Sequence, residues 1–297
     1  MKNMFVSLLL LISISALAQK GAPAAGSNTK TTDMFAPKMG SSEILAGLLM
    51  PTGTIEINND TLDYSGFILG FQYGYGFTDF LTVYVTQPYA SYDIKTNFSG
   101  VSKTQNIKGL ANTIIGAKGI IDYAPAFFYY EVNYQRAIFD TDKSNSSTND
   151  STAASARPSF NVSVGAGANV QLFGFGALLN YKLYQDGDHD SVSNLGTVTS
   201  TYKAGNGSGW KVYAQFEPSW KLGLSYALTT VEAYDQVTGA TKTVNPKSET
   251  QAVSIYSIIP INSASEVFLE ILKPEPKDSG TMTYKLYYVS ASYHVTF

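Results

Sequence analysis

The chain has 297 residues, with 20 basic and 23 acidic side chains, a formal net charge of −3 and no cysteine. The absence of cysteine excludes a disulfide framework and a thiolate metal site, and a near-neutral balance with no basic cluster speaks against a nucleic-acid partner. Charged residues make up only 14% of the chain and aromatics 13%, with 25 Gly and 21 Tyr. Soluble domains usually carry about a quarter charged residues, so some surface here is apolar without forming long apolar runs.

The amino terminus reads as a signal peptide over residues 1–18. Lys2 supplies the positive end, Val6 to Leu17 the apolar stretch, and Ala16-Leu17-Ala18 a small-x-small cleavage site. Residues 19–40 are small, polar and Pro/Gly-bearing, which predicts a flexible arm. Beyond the peptide no stretch approaches the roughly 18 apolar residues of a membrane helix.

From Ser41 to Phe297 the pattern is alternation of apolar and polar residues, the period-two signature of strands. Twelve segments follow in order: about 41–51, 63–76, 80–91, 109–122, 126–140, 157–172, 174–186, 208–217, 220–234, 249–261, 265–273 and 282–297. The second puts Phe67, Leu69, Phe71, Tyr73 and Tyr75 on one face. The sixth does the same with Phe160, Val162, Val164 and Ala166, and the eighth with Trp210, Val212, Ala214 and Phe216. Connections after even-numbered segments are short: 77–79, 123–125, Gly174, 218–219 and 262–264. Those after odd-numbered segments, such as 92–108, 141–156 and 187–207, are long and polar. This strict long/short rule separates a membrane barrel from a β-sandwich. The expectation is an all-β fold, a 12-stranded antiparallel transmembrane β-barrel of outer-membrane type over 41–297, with both termini periplasmic.

The last segment ends on "YHVTF" (293–297), with Phe297, Val295, Tyr293, Ala291, Val289 and Tyr287 on one face. A terminal aromatic on an alternating strand resembles the C-terminal element by which the outer-membrane insertion machinery reads its clients. Aromatics expected at a girdle are Tyr73, Tyr75, Phe77, Phe80, Phe127, Phe128, Tyr129, Tyr130, Trp220, Tyr293 and Phe297. Outer-membrane lipid and lipopolysaccharide are the surroundings that such a surface implies.

A charge facing hydrocarbon at mid-depth costs about 2–4 kcal/mol, so the charged face of each segment points inward. The pore-lining candidates are Gln72, Lys118, Glu131, Asn133, Lys182, Lys211, Glu217 and Glu270. Twelve strands lie between a filled eight-stranded barrel and a wide porin, and inward glycines on segments two and six favour an open lumen. Lys118 with Glu131, and Lys211 with Glu217, could form a constriction of opposed charges that orients small solutes, or could equally brace the wall.

The loop "QDGDHD" (185–190) places Asp186, Asp188 and Asp190 at alternate positions, a candidate for a divalent ion or a lipopolysaccharide bridge. Ser191 and Thr197 stand where a calcium loop needs Gly and Glu. A solvated acidic loop is the other reading. No cofactor is implied. Only two histidines, His189 and His294, could serve hydrolysis. Ser290 and Ser292 share the face of His294, but the nearer is two residues away along one strand, about 7 Å. Nothing local selects an Asp–His arrangement at His189. The expectation is a non-enzymatic channel for small solutes, with a structural or adhesive barrel lacking an open pore as the alternative.

Two stretches carry a family resemblance. "YGFTDFLTVYVTQPY" (75–89) resembles the periplasmic turn common in Gram-negative outer-membrane barrels. "GLANTIIGAKGII" (109–121) resembles a strand of the phenol-degradation (MetA-pathway) group of outer-membrane transporters, with Asn112 in place of the usual Asp. The resemblance implies a channel for small, hydrophobic or aromatic solutes and assigns no binding residue.

Overall fold

The computed structural model describes residues 28–30, 34–57, 60–98, 100–262, 264–277 and 282–297. The expected signal peptide lies outside these residues.

Twelve strands form the wall: β1 Ser42–Ile57, β2 Asp60–Thr78, β3 Leu81–Phe98, β4 Thr113–Tyr123, β5 Ala126–Arg136, β6 Ser159–Val170, β7 Phe173–Tyr184, β8 Gly205–Phe216, β9 Lys221–Val231, β10 Ser248–Asn262, β11 Ser265–Pro276 and β12 Met282–Thr296. Each pairs antiparallel with the next. β12 closes on β1, from Met282↔Ile57 to Thr296↔Glu43, so the wall leaves no open edge for lipid to meet. Phe297 completes the seam by exchanging backbone hydrogen bonds with Ser42. This is the 12-stranded antiparallel barrel that the alternation predicts.

The outward face is greasy along the whole wall. Phe71, Phe175, Leu179, Leu224, Val253 and Tyr293 are among its exposed large side chains, while His294, between Tyr293 and Val295, is fully buried on the inner face. Such a surface is stable against hydrocarbon and not against water. The girdle differs from expectation at two positions. Phe127 and Tyr129 point inward and are buried, because odd-numbered residues of β5 share the face of Glu131. The turn between β6 and β7 also shifts, to Gln171-Leu172, with Gln171 at φ 55° and Gly174 inside β7.

The long connections are not irregular loops. Val101–Leu110 continues the pairing with β3 beyond the break at Ala111-Asn112. Lys143–Asn145 with Asp150–Thr152, Gly187–Ser193 with Gly196–Tyr202, and Tyr234–Thr238 with Thr241–Asn245 form antiparallel hairpins beyond the wall. Two of their contacts are parallel, Gly187–Ser193 with Lys143–Asn145 and Asp150–Thr152 with Val101–Leu110. The hairpins thus join into a collar at one end, and the short turns mark the other.

One ladder of the wall is interrupted. The β1–β2 ladder runs from Ser42↔Tyr75 to Leu49↔Ile68 and resumes at Gly53↔Tyr64 in unchanged register, leaving three residues of each strand without partners across it. Pro51, which has no N–H, sits in the gap with Gly66 at φ +135° across from it, and Gly53 borders the gap at φ +120°.

Candidate functional site: a charged constriction in the lumen

All eight pore-lining candidates fall on the inner face, most of them buried. The constriction lies toward the short-turn end and centres on Glu43 of β1, a residue that charge placement alone did not single out. Its carboxylate accepts from Lys118 Nζ at 2.9 Å and Gln72 Nε2 at 3.0 Å, and lies 3.2 Å from His294 Nε2. Four strands, β1, β2, β4 and β12, are tied at this carboxylate. A signal existed: Glu43 alternates with Leu45 on the face opposite the outward Ile44.

Lys118 and Glu131 are direct partners across β4–β5. Glu131 is nevertheless satisfied by other groups. Tyr84 donates to it, as do Tyr129 at 2.7 Å and Asn133 Nδ2 at 2.9 Å. The network runs on up the wall. Asn161 Nδ2 donates to Asn133 Oδ1 at 2.6 Å, and Lys182 Nζ donates to Gln135 Oε1 at 3.2 Å. Buried polar groups are tolerable only when so partnered.

The expected Lys211–Glu217 pair is replaced by another. Glu217 meets Lys221 at 3.2 Å and accepts from Gln215 Nε2 at 2.5 Å. Lys211 stands higher on β8, in register with Leu178 and Ala227. Two further inward positions separate it from Glu217. Glu270 faces Tyr256 of β10 and Ser290 of β12.

The lumen at this level is filled, and part of the filling comes from outside the wall. Met34, Phe35 and Ala36, placed by sequence in a flexible arm, are buried inside the barrel. Phe35 lies edge-on to His294 at 5.2 Å, and Lys118 Nζ stands 3.3 Å from its ring centre. Met34 and Ala36 pack with Ile120, Phe127, Tyr129, Leu178 and Tyr213. Lys30 pairs with Asp122 at 2.5 Å, and its carbonyl accepts from Gln215 at 2.6 Å. The glycines expected to leave the lumen open instead make room for side chains. A Cβ on Gly165 would come within 2.7 Å of Met34 Sδ, and one on Gly74 within 2.6 Å of the Glu43 carboxylate.

Toward the collar the inner face changes character. Leu49, Ile55, Leu62, Tyr64, Ile68, Tyr92, Ile94, Leu286 and Tyr288 form an apolar, tyrosine-rich cluster on β1, β2, β3 and β12.

Asp186, Asp188 and Asp190 do not converge. Asp186 holds Lys203 and the Ala204 N–H, Asp188 accepts from Thr201, and Asp190 from Thr199. Among the described residues no group of three or more His, Cys, Asp or Glu could hold a metal ion. His189 has a more specific setting, with Nδ1 2.7 Å from Asp142 Oδ1 and Nε2 3.0 Å from Ser144 Oγ. The order orienter–base–hydroxyl matches that of a hydrolytic triad. Ser144, however, sits mid-strand, flanked by ladders to Ser151 on one side and Ser191 on the other. That pairing occupies the backbone N–H groups that would stabilise an oxyanion. The trio therefore acts as a clasp between two collar hairpins.

No protein-family model matches the sequence, and no curated protein matches it by sequence. Solved structures do match in fold. The COG4313 outer membrane channel from Pseudomonas putida F1 superposes with a TM-score of 0.62 at 11% identity, covering 89% of this chain and 97% of that one. A mutant of the TodX monoaromatic hydrocarbon channel gives 0.48 at 8% identity over 95% and 97% of the two chains, and the NanC porin 0.45 at 7% over 84% and 98%. The first of these shows the fold: the chain has the architecture of an outer-membrane barrel.

Proposed function

We propose that the protein is a channel of the bacterial outer membrane through which small solutes diffuse passively, with the turns and both termini on the periplasmic side. One observation carries the reading. Phe35, seated beside Lys118 and His294, belongs to a segment outside the wall, so it can withdraw while every strand pairing of the wall stays in place. The Glu43–Lys118–Glu131 constriction behind it presents both signs of charge to a passing solute.

The greasy belt sits in outer-membrane lipid, with lipopolysaccharide around the collar, and Phe297 serves the insertion machinery. Membership of the phenol-degradation group rests on the 109–121 stretch alone. An enzymatic role finds no support at His294, which faces Glu43 and Phe35, or at the Ser144–His189–Asp142 clasp.

Planar-bilayer recording tests the proposal. The mature chain is expected to give small or intermittent conductance, and a chain lacking residues 28–36 a larger and steadier one. Absence of conductance from both would favour the alternative, a structural or adhesive surface barrel.

A further inference from the structure

Arg157, one of only two arginines in the chain, lies just before β6 on its inner face, near the collar, and is 7% exposed. Its guanidinium carbon is 4.3 Å from the ring centre of Tyr184 and 4.1 Å from that of Tyr234. Nε, Nη1 and Nη2 are all buried and make no hydrogen bond of full geometry among the described residues, although the Tyr234 hydroxyl lies close enough to favour the charge. Asp186, the acid nearest in sequence on β7's side, is committed to Lys203 at 2.8 Å and to the Ala204 N–H. A second cation, Lys182, stands on β7 with its Nζ 5.0 Å from the same Tyr184 ring centre.

Arginine cannot escape this situation by losing its proton. A buried, unpaired charge is costly, and ring faces supply only part of what water gave it. All its N–H donors lie in the guanidinium plane, the direction from which a strong partner must approach. Gly205 leaves room beside Nη2, since a Cβ there would stand 3.0 Å from it. A carboxylate pairs with a guanidinium in its own plane through two parallel hydrogen bonds, so it fits between flanking rings. A tetrahedral phosphate would thrust oxygens out of the plane toward them.

We propose that Arg157, flanked by Tyr184 and Tyr234, is a docking site for the carboxylate of a small solute in the outer part of the lumen. The site lies opposite the apolar cluster, since β7 is six strands from β1 either way round the barrel. Lys182 adds attraction without competing for the same plane. The site as a carboxylate receptor stands on its own geometry; its role in permeation rests on the channel reading above.

Two measurements on the full mature chain separate these claims. Saturation-transfer NMR on detergent-solubilised protein, with acetate as probe and inorganic phosphate as competitor, reads binding. Arg157→Met is expected to weaken acetate binding about tenfold or more, the loss of a charge-assisted pair. Arg157→Lys, which keeps the charge and loses the fork, falls between the two. Heat-modifiable gel migration checks folding, and if Arg157→Met does not fold, Arg157→Lys carries the comparison. Equal acetate binding by the wild type and a folded variant, no acetate binding at all, or phosphate displacing acetate at lower concentration would overturn the assignment. In bilayers, potassium acetate gradients should give a reversal potential that Arg157→Met shifts toward cation preference. A conducting channel whose reversal potential ignores Arg157 overturns the site's role in permeation and leaves the channel standing. Arg157-dependent binding without conductance keeps the site and removes the channel.

Discussion

The ammonium of Lys118 and the carboxylate of Glu131 face each other across the β4–β5 ladder, yet Lys118 closes at 2.9 Å on Glu43 of β1. The strand neighbour is saturated by two tyrosines and Asn133, and the free ammonium reaches across the lumen instead. A bond between strands that are not adjacent is a cross-strut. It ties β4 to β1 across the interior.

Breaking this strut from one side should be severe. Lys118→Met leaves Glu43 as a buried carboxylate with weaker partners and is expected to cost about 3–5 kcal/mol. The double variant Lys118→Met/Glu43→Gln should recover much of the loss. Equilibrium unfolding in urea from lipid vesicles measures both, and additive losses would contradict the pairing.

Gly53 is required by the backbone. At φ +120° a Cβ would stand 2.1 Å from the Lys285 carbonyl oxygen, so Gly53→Ala must distort the closing β12–β1 seam as well as adopt a strained φ. The variant should lose heat-modifiable migration at a temperature well below the parent. An unchanged melting point would show that the seam yields easily.

The collar clasp makes a pH prediction. Burial pushes the His189 pKa down, but the hydrogen bond and charge of Asp142 outweigh it, and the net value is raised. A raised folded pKa means stabilisation that is complete below the ordinary histidine value of about 6.5 and is lost as pH climbs through the folded one. Hydrogen exchange in 141–156 and 187–202 should accelerate across that window. His189→Gln should be equally labile at all pH values, and a variant that kept the pH dependence would acquit His189.

Phe297 is 67% exposed, and its hydrogen bonds to Ser42 use only the backbone. Phe297→Ala should therefore refold normally from urea into detergent while assembling poorly in membranes that hold the insertion machinery. Equal assembly rates for the two chains would remove that role from the side chain.

The wall was legible because lipid on one side and a polar interior on the other impose period two on every strand. The collar was not. Hairpins such as Gly187–Ser193 meet water beyond the bilayer and show a sequence, GDHDSVS, with no alternation to read. Inward placement of Lys118, Glu131, Asn133, Lys182 and Lys211 followed from the cost of exposing charge to hydrocarbon, but their partners did not. Partnership depends on side-chain reach across the bore, which strand register alone does not set. The burial of Met34, Phe35 and Ala36 had only a three-residue apolar patch as its signal, too short to stand out in a polar arm. Arg157 lay where sequence read a loop boundary, and its isolation emerged only once Tyr184 and Tyr234 were seen against it.

The seam between β1 and β12 joins the first and last parts of the cylinder to be synthesised. Until β12 has met β1 no cylinder can exist, and the greasy strand faces stay unsealed.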